Sequence, residues 1–143
     1  MSQPTYIRIP HPWIRHDLLP IYEWVFPVDP TDEELLSFIE AREEWAKVAQ
    51  YPVAWLVELS NITKVSPMQR RLFAEHLKRF EAHDVKWTAG VGLIVPNAFI
   101  RGLVTAVHWL TPPKYANQAF KRRVDALDWV RARLEERLAA ESR

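Results

Sequence analysis

Residues 89–110, AGVGLIVPNAFIRGLVTAVHWL, constrain the fold more than any other stretch of this chain. The tract is almost wholly apolar and as long as a membrane span, yet its interior argues against one. Pro96 removes a backbone donor and biases Val95 away from helical geometry. Arg101 would lie deep in hydrocarbon at a cost of roughly 2.5–3.5 kcal/mol. The tract therefore divides in two. Ala89–Val95 reads as a strand covered on both faces, and Asn97 caps a helix over Ala98–Leu110 that Thr111-Pro112-Pro113 ends. A buried strand feeding a helix belongs to an α/β sheet, so the chain is expected not to be transmembrane.

The same alternation runs through the rest of the sequence. Tyr6–Ile9 and Trp13–Asp17 read as one interrupted strand whose prolines, Pro10 and Pro12, suit a sheet edge, and Ile21–Phe26 reads as a second. Thr31 and Glu34 stand in the relation of a capping box ahead of a helix over 32–50. Its inward stripe is Leu35, Phe38, Ile39, Trp45, Ala46 and Ala49. Val53–Leu59 is a central strand. Ser66 caps a helix with Pro67 in its first position and Met68, Leu72, Phe73, Leu77 and Phe80 along one stripe. Asn117–Phe120 is a short last strand, followed by a helix over 122–139 with Val124, Leu127, Val130, Leu134 and Leu138 inward. Parallel neighbours need crossover connections, so the order ββαβαβαβα predicts an α/β domain with a mainly parallel sheet.

Composition narrows the function classes. A chain of 143 residues, 48% hydrophobic and 26% charged, is of the size and character of a single globular domain. Its net charge of +1 favours no polyanionic partner. The absence of cysteine excludes disulfides, thiolate nucleophiles and Cys-ligated metals. The start, MSQPTYIRIPHPW, has no apolar run after a basic opening, so no signal peptide is read and a cytoplasmic location is expected.

The order of elements resembles the STAS domain, the fold of sporulation anti-sigma-factor antagonists, and the related SpoIIAA-like proteins. The resemblance spans the chain and rests on VAWLVELSNITKVSPMQRR, on AGVGLIVPNAFIRGLVTAVHWL, and on the closing ANQAF strand with its amphipathic helix. It implies a non-enzymatic module that binds a partner protein. The family's switch, a phosphorylated serine at the start of the helix after the central strand, does not carry over. Pro67 or Met68 stands at that place, and Ser66 falls where the family has an acidic residue.

Candidate chemistry is sparse. His76 and His83 lie two helical turns apart, with Cα atoms ~10 Å from each other, too far for one ion to bridge easily. With Asp84 nearby they read as histidines at the core edge, and no metal or other cofactor is expected. His16-Asp17 and the acidic residues Glu40, Glu43 and Glu44 lack any nucleophile with a recognisable setting, and the chain has no P-loop or G-x-S-x-G. Arg42 projects into the apolar stripe of its helix. The economical reading lays its stem on apolar surface with the head at the rim; the sharper one makes it an anion-binding residue. Basic residues gather at Arg70, Arg71, Lys78 and Arg79 and at Lys121, Arg122, Arg123, Arg131 and Arg133. Acidic residues interleave with both groups, so no nucleic-acid surface is expected.

The helix over 98–110 carries the strongest functional signal. Arg101, Thr105 and His108 form a narrow polar stripe, and the apolar arc over the remainder is wider than one sheet needs. That surplus must meet a neighbouring helix of the same chain, a protein partner or a second copy of the chain, and a partner would be met through Phe99, Leu103, Trp109 and Leu110, joined by Trp129 of the last helix. A homodimer is the simplest form of it. The alternative is a lipid or other lipophilic small molecule held between this helix and the sheet, with Arg101, Thr105, His108 and Lys114 as ligand-binding residues. An enzyme acting through His76, His83 or His108 is the least supported reading.

Overall fold

The computed structural model describes residues 5–142; the first four residues of the N-terminal stretch discussed above lie outside it. Strands β1 (Ile14–Leu18), β2 (Ile21–Val25), β3 (Val53–Glu58), β4 (Thr88–Ile94) and β5 (Asn117–Phe120) form one mixed sheet in the order β1-β2-β3-β4-β5. β1 is antiparallel to β2, and every other pairing is parallel. Helices α1 (Asp32–Val48), α2 (Pro67–Arg79), α3 (Glu81–Trp87), α4 (Ala98–Leu110) and α5 (Arg123–Glu141) complete the α/β fold. Each parallel strand adds to the same edge of the sheet. Right-handed crossovers then put α1, α2–α3 and α4 on one face and leave the other to α5.

The two faces differ in bulk, and the strands encode the difference by alternation. Tyr22 and Trp24 of β2, Trp55 and Val57 of β3, and Val91 and Leu93 of β4 belong to the larger core, beneath α1, α2 and α4. Ile21, Ala54, Leu56 and Ile94 face α5. On that side Gly92 permits a close approach: a Cβ there would stand 2.8 Å from Val130 Cγ1 and 3.2 Å from the Ala126 carbonyl oxygen. The α5 stripe is accordingly centred on Ala126, Val130 and Leu134. Val124 and Leu138, expected inward, are exposed, because close contact selects the small Ala126 rather than the larger residues beside it.

All three anticipated helix caps form. Thr31 and Glu34 bond reciprocally, Ser66 does the same with Gln69, and Asn97 Oδ1 accepts from the Ile100 N–H at 3.0 Å. Two expected elements change. Tyr6–Ile9 is not a strand; its backbone is held by side chains, with Tyr22 Oη and Trp45 Nε1 donating to the Ile7 carbonyl and the Ile7 N–H donating to Tyr51 Oη. The helix after Ser66 breaks at Phe80 into α2 and α3. In α2 the inward position falls to Gln69, whose amide donates to the Pro30 carbonyl and to Asp32 Oδ1, and Met68 turns out to solvent.

Candidate functional site

A cavity of about 140 Å³, partly open to solvent, lies between α4, α2 and the larger face of the sheet. Its origin is a mismatch of side-chain size. Trp45, Phe38, Tyr22, Trp24 and Trp55 fill the core over the β1–β3 side in a run of edge and tilted ring contacts. Toward β4 the face carries the smaller Val57, Thr88, Val91 and Leu93, and space remains beneath α4. Ile100, Leu103, Val104 and Val107 of α4 close it from above.

A buried ionic cluster forms one wall. Arg42 is 1% exposed, and its guanidinium carbon lies 5.2 Å from the Trp24 ring centroid and 5.0 Å from that of Trp55. Nη2 donates to Asp84 Oδ1 at 2.6 Å and Nη1 to His76 Nε2 at 3.0 Å. The break at Phe80 starts the new helix, α3, that delivers Asp84 to this spot. His76 is fully buried; burial, then the Arg42 charge, drive its pKa down to about 2, so the ring is neutral. Its Nδ1 side faces Glu43 Oε1 at 3.4 Å, and Glu43 also pairs with Arg79. Burial pushes the Asp84 carboxyl up, but the Arg42 charge and hydrogen bonds outweigh it, and the net pKa lies below the ordinary value. The expected rim position of the Arg42 head is thus overturned, because Asp84 and two indole faces compensate its burial. His76 is core rather than core edge, whereas half-buried His83 meets the Ala49 carbonyl at 2.6 Å through Nε2. Among the described residues no group of His, Cys, Asp and Glu is arranged to hold a metal.

Polar side chains near the α4–β5 connection are also among those that line the cavity. His108 in the last turn of α4, Tyr115 in the loop and Asn117 at the start of β5 all line it. Burial, with the Asp84 charge second, raises the Tyr115 pKa to about 12, and burial lowers that of His108. Both are neutral at pH 7. Thr111 fixes the connection by donating to the Ala74 carbonyl at 3.0 Å.

The residues singled out on α4 separate onto different sides. Leu103, expected at a partner surface, lines the cavity instead, because the inner stripe repeats through 100, 103, 104 and 107. Of the expected ligand-binding residues only His108 reaches the cavity. Arg101 and Thr105 are exposed, and Lys114 pairs with Glu81 at 3.0 Å. Trp109 is 82% exposed, and Leu110 next to it in the last turn and Phe99 in the first turn of α4 are about half exposed. Trp129 is not part of that surface. It is half-buried on the other face of the sheet, packed on Phe120 with ring centroids 5.8 Å apart and lying over Gly90. Sequence reasoning missed Tyr115, Asn117 and the two tryptophans around Arg42; the one available signal was Arg42 itself, a cation on an apolar stripe.

No helix among the described residues is long and apolar enough to cross a membrane. Comparison of the chain with family models, with curated proteins and with solved structures finds no match.

Proposed function

We propose that this chain is a non-catalytic binding protein that holds a small apolar molecule between α4 and the sheet. The observation that carries the reading is the cavity of about 140 Å³, walled by Trp24, Trp55, Val57, Val91, Leu103 and Val107. An apolar cavity of roughly 150 Å³ accepts benzene, which sets the scale of the occupant: one ring or a short alkyl chain rather than a phospholipid. The neighbouring ionisable groups support a binding role over catalysis. Arg42 is paired with Asp84, and the His76 Nε2 lone pair accepts from Arg42, so neither Asp84 nor His76 is left free to act on a substrate. The test is a melting curve in toluene-saturated buffer. The wild type gains stability, and Val107→Phe, which fills the space, melts higher without ligand and gains nothing from toluene. An unchanged wild-type melting temperature refutes the reading.

A second reading, a protein-docking module of the STAS/SpoIIAA-like kind that self-associates or meets a partner, is favoured by one observation: the 82% exposure of Trp109 in the last turn of α4. Trp109→Ser and wild type are compared by sedimentation at high concentration. Association by the wild type that the variant loses supports this reading, and equal monomeric behaviour counts against self-association.

A further inference from the structure

Three charged residues line the cavity, and one of them is not neutralised. Arg42 and Asp84 pair with each other at 2.6 Å. Arg70 has no ion-pair partner among the described residues; its Nη1 donates to the neutral Val65 carbonyl at 3.3 Å. Asp32, the carboxylate brought to this end of α2, accepts instead from the Gln69 amide at 2.9 Å. Resting on the ligand-binding reading above, we infer that the occupant is a small amphipathic carboxylic acid, its ring or short alkyl chain inside the cavity and its carboxylate at the rim against Arg70.

The position of Arg70 suits an anion that keeps part of its water. The residue both lines the cavity and is half-buried, as when a long cationic side chain lays its stem on an apolar wall and keeps its head at the rim. A carboxylate there avoids the full desolvation that bars a charge from the cavity interior. Arg70 also stands in the first turn of α2, which holds no acidic residue. The positive end of the helix dipole disfavours a cation at that place and favours an anion, so a carboxylate at the rim relieves both. A guanidinium offers it two parallel N–H donors. The same charge count selects the head group: a phosphate monoester brings about −1.5 to −2, more than one guanidinium answers.

Titrations at pH 7 and low salt, followed by tryptophan fluorescence, compare hexanoate with 1-hexanol, which shares its chain but not its charge, and with toluene. The wild type binds hexanoate at least as tightly as 1-hexanol. Arg70→Met, which keeps an apolar stem and removes the charge, weakens hexanoate about tenfold and leaves 1-hexanol and toluene within a factor of about two. Arg70→Gln repeats the loss, and retained toluene binding shows that both variants are folded. Val107→Phe, which fills the space, no longer binds hexanoate. Hexanoate affinity unchanged in both Arg70 variants, or retained in Val107→Phe, overturns the carboxylate inference, and toluene binding by the wild type then leaves the cavity reading intact. 1-Hexanol binding more than about tenfold tighter than hexanoate overturns it in favour of a neutral occupant. Failure of all three ligands to bind the wild type removes the ligand-binding reading itself.

Discussion

Arg42 Nη2 lies 2.6 Å from Asp84 Oδ1, and both side chains are almost wholly withdrawn from solvent. The pair joins α1 to α3 across the larger core, with two indole faces completing the enclosure of the cation. Two charges so placed are costly to separate and less costly to remove together. Asp84→Leu alone strands a buried guanidinium and is expected to cost about 3–5 kcal/mol. Adding Arg42→Met to it restores part of the loss, so a double-mutant cycle in urea returns a coupling energy of about 2–3 kcal/mol. Additive losses would mean that the pair contributes nothing beyond its separate residues.

His76 makes stability depend on pH in a defined direction. Its pKa falls from 6.5 in the unfolded chain to about 2 in the folded one. Below pH 6.5 the unfolded state therefore binds a proton that the native state refuses, and stability declines as pH falls toward 2. The single site removes up to about 1.4 kcal/mol per pH unit. Asp84 acts in the same sense, beginning only near its unfolded value of 3.8. His11, His16 and His108 are also lowered and add to the slope. Denaturation of His76→Gln between pH 6 and 4.5 is expected to show a slope smaller by about one proton than the wild type's. Identical slopes would contradict a buried neutral imidazole.

Two glycines provide opposite outcomes for one substitution. At Gly92 a new Cβ meets Val130 Cγ1 and the Ala126 carbonyl, so Gly92→Ala forces α5 away from β4 and costs about 1–3 kcal/mol. At Gly102, inside α4, nothing lies within 4 Å of the added carbon. Gly102→Ala there stabilises by about 0.5–1 kcal/mol through helix propensity. Chemical denaturation of both variants checks the placement of α5 and α4 at once.

Much of this architecture was legible because it follows from local rules. Pro96-Asn97 divides the apolar tract, and Asn97, Thr31 and Ser66 mark helix starts through hydrogen bonds confined to one turn. The α1 stripe followed from its period, and all six of its apolar members are buried. What was not legible depends on partners remote in sequence. Arg42 looked like a rim residue because Asp84, forty-two positions away, is brought to it only by the break at Phe80. Tyr6–Ile9 looked like a strand because no periodicity reveals that Tyr22, Trp45 and Tyr51 take its hydrogen bonds. The cavity is a difference in volume between two halves of one face, visible only once Val57, Val91 and Leu93 are known to lie under α4.

The exposed side of α4 contributes little to the fold. Trp109→Ser is expected to shift stability by no more than about 0.5 kcal/mol, since the ring is 82% exposed. A larger loss would place Trp109 in a contact that the isolated chain does not show.

The space beneath α4 is the central claim, and methyl-resolved NMR of the protein titrated with toluene addresses it most directly. Saturable shifts concentrated on Val57, Val91, Leu93, Leu103, Val104 and Val107, with the α5 methyls of Val130 and Leu134 unmoved, are the predicted result. No saturable shift at the solubility limit of toluene, or shifts confined to Leu110 on the outer side of α4, would contradict it.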